Sequence, residues 1–416
     1  MAIRLFNTLT GRKEPLRPLT KKVRMFVCGP TVYDYPHIGH ARTYVSYDIL
    51  ARHILSSGYG LSFVVNITDL DDKVFERAHH DGVTYKEVSR RFTAAFLDDL
   101  RRLNIETITS FPHTSEYLPQ AIEQISTLMK KGFAYTVGNN VYFDTSKFSR
   151  YGTFSGQSPL ELKLRRLDPD PLKRSQSDFL LWRGEDAGNI SWDSPFGRGK
   201  PGWHIEDTAI SISTYGDQYD VHGGAIELIF PHHEAEIAQA EALTGKSPFV
   251  RHWVHSGLLR VEDQKMSKSL GNSIRLREVL RETDISLLRL YFAAHHYRQT
   301  FSWRKNDLKA FSRPLKDLQK AWKLAVQSSH SSKSNNNGGQ NEALEKVRRC
   351  SRVFYACLDN DLNTPGAVAA LFRLVNLALR VLTRPHSRIL SVELENTLAK
   401  CASSLGIPLH KIDVNE

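Results

Sequence analysis

Residues 23–67 read VRMFVCGPTVYDYPHIGHARTYVSYDILARHILSSGYGLSFVVNI, and this stretch decides the fold. Val23–Gly29 is a short apolar run that ends in glycine, which is typical of a buried strand. Between residues 38 and 54, apolar residues recur every three or four positions, which predicts a helix that Gly58 can cap. Leu61–Ile67 predicts a second strand. A strand, a helix and a strand with short links form a parallel βαβ unit, so the sequence predicts an α/β fold with a Rossmann-like parallel sheet.

The composition indicates a soluble protein of several domains. The 416 residues, 41% apolar and 24% charged, are ordinary for roughly two to four globular domains. No apolar run reaches the roughly 18–20 residues of a membrane helix, and the start, MAIRLFNTLTGRK, shows no secretory signal, so we expect a cytoplasmic protein without a membrane. The net charge of +11 favours a polyanionic partner, but a solvated basic surface would explain it too.

The four cysteines are Cys28, Cys350, Cys357 and Cys401, and no two of them form a C-x-x-C pair. Their spacing gives no disulfide framework, so reduced thiols in the cytosol fit best. The last three lie in helical patterns and are expected to fill apolar space. Cys28 differs because it ends the first predicted strand.

A first group of candidate functional residues lies between Gly29 and His40. This stretch follows a strand and begins a helix, where open α/β sheets place ligands and free N–H groups attract phosphate. His37 and His40 are three residues apart, so both rings face one side, and Gly39 lets a ligand approach the backbone. Two ordinary surface histidines would show the same spacing.

A second group is Lys265–Ser269, which reads KMSKS and is followed by LGN. Lys265 and Lys268 are three residues apart among serines, so they form a cationic loop that could follow a triphosphate as it rearranges. A solvated charged turn is the alternative, because a lone KxxK is common.

The two groups together match the defining HIGH and KMSKS motifs of class I aminoacyl-tRNA synthetases, in the right order. The segments MFVCGPTVYDYPHIGHAR, NITDLDDK, SPFGRGKPGWHIE, FPHHEAEIAQ and KMSKSLGN closely resemble cysteinyl-tRNA synthetases. The resemblance runs from Leu5 to near Leu382 and includes DNDLNTP at Asp359–Pro365. It implies a cysteine–tRNA ligase, which activates L-cysteine with ATP and transfers it to the 3′ end of tRNA(Cys).

Pattern and resemblance together divide the chain into a catalytic domain, an inserted acceptor-end-binding region and an α-helical bundle that binds tRNA. The predicted ranges are 1–104 and 201–304 for the two catalytic halves, 105–200 for the insert and 305–416 for the bundle, with a flexible linker at 328–342. Within the insert, 138–198 is predicted to be exposed. Bundle helices are predicted at 308–326, 343–358 and 365–382. We expect a short form, because family members usually carry a further small anticodon-binding domain at the C-terminus.

A metal centre is predicted around a helix that Pro231 is suited to begin. His232 and Glu236 are four residues apart and project from one face, although a surface pair has the same spacing. The family holds zinc with two cysteines, a histidine and a glutamate, and the resemblance assigns these roles to Cys28, Asp207, His232 and Glu236. Asp207 departs from the usual cysteine. It keeps the charge of a thiolate but is a harder ligand, so we expect one zinc ion bound with lower affinity.

The resemblance also implies residues for the substrates. The amino-acid site would include Gly29, Thr68, Trp203 and His204. ATP, accompanied by Mg²⁺, would contact His37, Gly39, His40, Gly223, Gly224, Glu227 and Lys268. The catalytic set would be His37, His40, Lys265 and Lys268. The stretch 222–227, HGGAIE, is expected to meet adenosine, although the family more often reads HGGG and then Asp two residues on.

Zinc would explain how cysteine is selected over serine without an editing domain. Serine's hydroxyl ionises poorly, and an apolar pocket separates such similar groups only weakly.

Basic residues at 163–174 are expected to guide the acceptor end of tRNA, and Arg348, Arg349 and Arg352 to follow its stem. We expect a monomer. Two rivals remain open: a ligase that joins cysteine to an amino sugar for thiol biosynthesis, and a non-catalytic tRNA-binding paralogue.

Overall fold

The computed structural model describes residues 2–158, 161–162, 170–171, 173–185, 190–261, 264–266, 272–330, 340–383 and 386–409. The strands in these ranges are β1 (Arg4–Asn7), β2 (Arg12–Pro15), β3 (Lys22–Val27), β4 (Gly60–Val65), β5 (Ala134–Val137), β6 (Asn140–Phe143), β7 (Phe179–Gly184), β8 (Gly199–Pro201), β9 (Tyr219–Ala225), β10 (Val250–Ser256), β11 (Leu259–Val261), β12 (Gln264–Lys265) and β13 (Phe301–Trp303). The helices are α1 (Ile38–Ser56), α2 (Asp72–Asp81), α3 (Tyr85–Arg102), α4 (Leu118–Lys130), α5 (Trp203–Tyr215), α6 (Glu234–Thr244), α7 (Leu276–Glu282), α8 (Ile285–Ala293), α9 (Lys309–Ser329), α10 (Gln340–Asp359), α11 (Thr364–Val381) and α12 (Arg388–Ser404).

The centre of the fold is a four-stranded parallel sheet in the order β10-β9-β3-β4. Val27 of β3 pairs with Val65 of β4 on one side and with Gly223 of β9 on the other. The chain therefore moves from β3 to β4 in one direction and later returns on the opposite side of β3. Ligands of open α/β sheets bind beyond the carboxyl ends of the strands at such a reversal. The predicted Rossmann-like parallel sheet is confirmed.

The predicted βαβ unit is β3, α1 and β4. Val23, Met25 and Phe26 are fully buried, because strands of a parallel sheet are covered on both faces. α1 is also buried along most of its length. It packs against β4 on one side and against α8 and α12 on the other. This burial holds the start of α1 firmly at the carboxyl end of the sheet.

The inserted region contains an antiparallel sheet in the order β5-β6-β7-β8. The prediction that residues 138–198 are exposed is wrong for β6 and β7, since Val141, Phe143 and Trp182 are fully buried. They form a core with apolar residues of α4, α5 and α6. Both apolar runs are short, and the turn residues around them hid their strand character in the sequence.

The region before α6 also differs from the sequence-based prediction. β9 ends at Ala225, and α6 begins at Glu234 rather than at Pro231. The segment between them is an irregular turn because Phe230 has extended dihedral angles, φ −133° and ψ 133°. An extended residue cannot continue a helix, so His232 precedes the regular part of α6.

A bundle of α9, α10, α11 and α12 forms the C-terminal part, which confirms the predicted helical region. α12 was not predicted. Its Leu390, Leu394 and Leu398 are buried at four-residue spacing in the bundle. The core of the bundle is continuous with that of the parallel sheet. Of the predicted linker, residues 331–339 lie outside the described residues.

α11 is the one helix in the described ranges that is long and apolar enough to cross a membrane. Half of that stretch is buried, and α11 packs against α10 and α12. Leu371, Leu374 and Val375 of this helix are fully buried. Its apolar character is therefore explained by its place in the bundle core. The three cysteines that were expected to fill apolar space lie in the bundle helices: Cys401 is buried, and Cys350 and Cys357 are partly buried.

Candidate active site

A cavity of about 720 Å³ lies where the strand order reverses, beyond the carboxyl ends of β3, β4 and β9. The start of α1, the loop before β11 and side chains of α3 and α5 form its other walls. The predicted site residues that line it are Cys28, Gly29, His37, Gly39, His40, Thr68, Trp203, Asp207, Glu227 and His232. Residues predicted for phosphate, amino acid and metal thus share one cavity.

His37 and His40 cap the start of α1 reciprocally. Nδ1 of His37 accepts a hydrogen bond from the N–H of Gly39 at 3.1 Å, and Nδ1 of His40 accepts one from the N–H of His37 at 3.1 Å. The two rings stack with their centroids 3.9 Å apart. They lie on the same side of the helix, as their spacing indicated.

These caps determine what the two rings offer to a ligand. A nitrogen that accepts a hydrogen bond carries no proton, so the neutral rings of His37 and His40 carry theirs on Nε2. Both rings line the cavity. The helix start adds the positive end of the helix dipole, while the main-chain N–H groups of residues 37–40 are already hydrogen-bonded within the chain. This end of the cavity is suited to phosphate oxygens.

Gly39 brings the two motifs together. A Cβ atom at this position would lie 2.8 Å from Cε1 of His37 and 2.9 Å from Cε of Met266, closer than side chains tolerate. Met266 belongs to the KMSKS stretch and lines the cavity. The backbone of Lys265 pairs with β11 through β12. Lys268 lies outside the described residues.

The four predicted metal ligands, Cys28, Asp207, His232 and Glu236, meet beside the cavity. One potential ligand atom from each lies within 4.8 Å of the others, and all four residues are buried. Nε2 of His232 lies 3.2 Å from Oδ2 of Asp207 and 3.0 Å from Oε1 of Glu236. Ligand atoms around one tetrahedral zinc ion are separated by about 3.3–3.8 Å, so the spacing approaches that of a single cation's shell.

The hydrogen bonding of Glu236 and the raised pKa values of Glu236 and Cys28 support a cation at this point. Glu236 is fully buried, and among the described residues its carboxylate oxygens make no hydrogen bond, although Nε2 of His232 lies 3.0 Å from Oε1 and Nε2 of His222 lies 3.6 Å from Oε2. Burial, and then the charge of Asp207, raise the pKa of Glu236 well above its usual range. Burial, followed by Asp207 and Glu236, likewise raises the pKa of the Cys28 thiol. A buried carboxylate that makes no hydrogen bond is costly, so this donor set fits a metal ion.

Two further histidines contact Cys28, and the sequence had not assigned them to the metal site. Nε2 of His222 lies 3.3 Å from the Cys28 sulfur, and Nε2 of His233 lies 3.1 Å from it. With Glu236, these three residues form a second possible ligand group. His222 was expected near adenosine, but it is fully buried. The adjacent histidines in FPHHE were the available signal for His233.

Gly223 and Gly224 do not belong to the described lining of the cavity. A Cβ atom at Gly223 would lie 2.3 Å from the hydroxyl of Tyr47, and one at Gly224 would lie 2.7 Å from Cδ1 of Leu228. Both glycines therefore allow close packing behind the cavity wall. Glu227 does line the cavity. Contact of the two glycines with ATP stays a prediction.

Two of the residues predicted for the amino acid, Trp203 and His204, contact His232. Trp203 stacks on its ring with centroids 4.2 Å apart and keeps 43% of its surface exposed. Nδ1 of His204 lies 2.9 Å from Nδ1 of His232, and burial lowers the pKa of His204 well below its usual value. Thr68 and Gly29 line the cavity, but His204 lies behind it.

The basic residues predicted for tRNA are only partly described. Within 163–174, residues 163–169 and 172 lie outside the described residues. Arg174 is engaged within the fold, since its guanidinium lies 4.1 Å from the ring centroid of Tyr135. On α10, the arginines predicted to face tRNA are exposed, namely Arg348, Arg349 and Arg352.

Comparison with known families identifies two regions of the chain. Residues 15–313 match the family described as tRNA synthetases class I (C) catalytic domain, and residues 353–410 match the DALR domain. The cysteine–tRNA ligase of Thermococcus onnurineus is 40% identical over 407 residues, which cover 95% of this chain and 84% of that protein. The cysteine–tRNA ligase of a Geobacter species is 40% identical over 413 residues, covering 98% of this chain and 85% of its own length.

Solved structures with the same fold have more distant sequences. Methionyl-tRNA synthetase of Mycobacterium tuberculosis, in complex with methionyl-adenylate, superposes with a TM-score of 0.68 at 15% identity, covering 93% of this chain and 90% of that one. A leucyl-tRNA synthetase of Agrobacterium radiobacter in a ternary complex gives a TM-score of 0.69 at 11% identity, covering 93% of this chain and 84% of that one. These matches confirm the fold of the chain.

Proposed function

This chain belongs to the cysteine–tRNA ligase family of class I aminoacyl-tRNA synthetases, and we propose that its cavity activates L-cysteine with ATP and transfers it to tRNA(Cys). One observation carries this proposal. A helix start with two imidazole donors and a buried thiol–carboxylate–imidazole cluster face the same cavity. The first suits a triphosphate, and the second suits an amino acid with a thiol.

In the first step, a carboxylate oxygen of cysteine attacks the α-phosphorus of ATP in line, and the bond to the bridging oxygen of pyrophosphate breaks. No protein nucleophile takes part, so catalysis consists of positioning and charge stabilisation. His37 and His40 donate through Nε2 to phosphate oxygens at the start of α1. Lys265 and Lys268 are proposed to meet the charge that develops on pyrophosphate, and ATP enters with Mg²⁺.

In the second step, a hydroxyl of the terminal ribose of tRNA attacks the carbonyl carbon of cysteinyl-adenylate, and AMP leaves. The match to the DALR domain lies in the helical bundle, where Arg348, Arg349 and Arg352 are exposed. Arginines of this kind are proposed to contact phosphates and to orient the tRNA rather than to read bases.

The residues that would hold zinc are Cys28, Asp207, His232 and Glu236. When bound, zinc would supply a Lewis acid that ionises the thiol of cysteine, a reaction that serine's hydroxyl undergoes far less readily. The chain's own residues shape the place where the thiol arrives. Trp203 stacks on His232 and keeps bulk water from one side of it, while Thr68 and Gly29 face the space beside Cys28.

The test is transfer of radiolabelled cysteine to total tRNA, with serine as competitor and metal-chelated protein as the control. Transfer that chelation abolishes, and that excess serine does not reduce, would support the proposal, including a working metal site with Asp207. The variant Cys28→Ala should behave like the chelated protein. A matched control is Cys357→Ala, which removes a thiol from the bundle, outside the cavity.

Pyrophosphate exchange distinguishes the alternatives. Cysteine-dependent exchange between ATP and pyrophosphate without transfer to tRNA would contradict the second step and indicate a ligase with another acceptor, such as an amino sugar. Absence of both reactions in correctly folded protein would contradict the catalytic proposal and leave the tRNA-binding paralogue.

A further inference from the structure

Asn66 follows β4 and is buried, and its side-chain amide joins two segments that carry metal ligands. Oδ1 of Asn66 accepts a hydrogen bond from the main-chain N–H of Gly29 at 2.7 Å. Gly29 directly follows the ligand Cys28. Nδ2 of Asn66 donates to Oδ1 of Asp207 at 2.7 Å.

The orientation of this amide is determined by its neighbours. A main-chain N–H can only donate, so the atom of Asn66 that faces Gly29 must be the oxygen. The NH₂ group then faces Asp207 and finds an acceptor there. A second, longer contact from Nδ2 to the hydroxyl of Thr68 at 3.3 Å is consistent with this orientation. Asn66 is therefore held from both ends.

The hydrogen bond from Asn66 restricts how Asp207 can bind a metal. Its Oδ1 is engaged by Asn66, while its Oδ2 lies 3.2 Å from Nε2 of His232 and faces the ligand cluster. A thiolate has one donor atom, but a carboxylate can bind a metal through one oxygen or through two. Binding through both oxygens would add a ligand atom to the shell.

We propose that Asn66 is a positioning residue that holds Asp207 as a one-oxygen metal ligand and thereby keeps a coordination position open for the thiol of the substrate. The inference rests on the proposed function. It explains how a carboxylate can stand where the family has cysteine: four one-atom protein ligands leave room for the thiol as a fifth ligand, whereas a second oxygen of Asp207 would occupy that position. Partners that orient metal ligands in this way typically contribute about 10–100-fold to metal affinity or activity.

A simpler role for Asn66 would be to join the ends of β3 and β4 through Gly29. A Cβ atom at Gly29 would lie 1.5 Å from the main-chain oxygen of Asn66, so the two segments are in tight contact at this point. The test must separate this structural role from an effect on Asp207. Replacing Asp207 by cysteine does so, because a thiolate cannot bind through two oxygens.

The experiment compares Asn66→Ala in the natural protein and in the Asp207→Cys protein, each loaded with Co²⁺ in place of zinc. With Asp207, we expect Asn66→Ala to weaken the visible cobalt absorption, because intensity falls as coordination number rises. Metal affinity, measured by chelator competition, should fall about 10–100-fold. KM for cysteine should rise while KM for ATP stays unchanged. In the Asp207→Cys protein, the same change should leave the cobalt spectrum unaltered.

Four results would overturn the inference. Equal spectral changes in both backgrounds would mean that Asn66 acts only by supporting Gly29. An unchanged spectrum in both backgrounds would mean that Asn66 has no role at the metal site. X-ray absorption of the zinc-loaded natural and Asp207→Cys proteins provides a further measurement: a two-oxygen carboxylate found only when Asp207 is present contradicts the inference, and its absence from the natural protein supports it. If the natural protein binds neither zinc nor cobalt, the metal part of the proposed function fails as well, whereas a metal site independent of Asn66 refutes only the positioning role.

Discussion

The hydroxyl of Tyr297 donates a hydrogen bond to Oδ1 of Asp361 at 2.7 Å, and this contact joins the parallel-sheet domain to the helical bundle. Asp361 is fully buried in the turn between α10 and α11. Its carboxylate also accepts from Nε and Nη2 of Arg298 at 3.0 and 2.7 Å and from the main-chain N–H of Phe6 at 2.8 Å. One carboxylate thus connects the N-terminal strand, the segment after α8 and the bundle.

Replacing Asp361 by alanine is expected to lower the free energy of unfolding by about 3 kcal/mol. This value is at the lower end of the cost of breaking a buried ion pair, because Arg298 keeps access to water. Chemical denaturation measures the change. The control is Glu342→Gln, which removes an exposed pair with Lys346 and should leave stability unchanged. Equal effects of the two substitutions would contradict the role given to Asp361.

Gly39→Ala is expected to lower the rate of ATP–pyrophosphate exchange by about 10–100-fold. The added methyl group would displace the ring of His37 or the side chain of Met266, and shifts of about 1 Å at a reacting centre can cost on the order of 10²-fold. The matched control is Gly60→Ala, whose Cβ would make only ordinary contacts at 3.4 Å with Lys22. An exchange rate for Gly39→Ala equal to that of the control would refute the prediction.

His37→Asn separates helix capping from phosphate binding. Asparagine is a favourable N-cap, so its side-chain oxygen can accept from the N–H of Gly39 and preserve the start of α1. It lacks the imidazole Nε2–H group, which we propose donates to phosphate from a ring that lines the cavity. We therefore expect an unchanged melting temperature with a loss on the order of 10²–10³-fold in exchange rate. A similar loss accompanied by lower thermal stability would instead indicate damage to the helix.

Asp99 on α3 should make stability depend on pH. Burial raises its pKa to about 6 despite the nearby Arg277. The folded state then binds a proton more tightly than the unfolded state, whose pKa is about 3.9, so stability falls as pH rises from about 4 to 6 and stays lower above. Asp99→Asn should therefore raise the melting temperature, relative to the natural protein, more at pH 8 than at pH 4.5. An equal effect of Asp99→Asn on the melting temperature at both pH values would contradict the prediction.

Asp207→Cys is expected to raise zinc affinity, because a thiolate is a softer ligand than a carboxylate and zinc prefers nitrogen and sulfur donors. Chelator competition monitored by zinc content measures the affinity. Glu227→Gln, a substitution elsewhere on the cavity wall, provides the comparison and should leave zinc affinity unaltered. An affinity unchanged by Asp207→Cys would mean that Asp207 does not ligate the metal.

Local sequence determined much of this protein. The βαβ unit followed from apolar runs and helical spacing between residues 23 and 67, and the common side of His37 and His40 followed from their separation along one turn. Such predictions succeed because strand alternation and helical periodicity are properties of neighbouring residues. The irregular turn at Phe230 was not predicted, since its extended conformation breaks a pattern that Pro231 otherwise favours.

Tertiary structure alone decided which distant residues meet. Asn66 and Asp207 lie 141 positions apart, and His222 and Cys28 lie 194 apart, yet both pairs are in contact. No periodicity relates such positions. Their meeting depends on the order β10-β9-β3-β4, which brings the ends of β3, β4 and β9 to one edge. Burial at that edge then requires each polar group to find a partner, and this requirement selects the contacts that the sequence pattern does not encode.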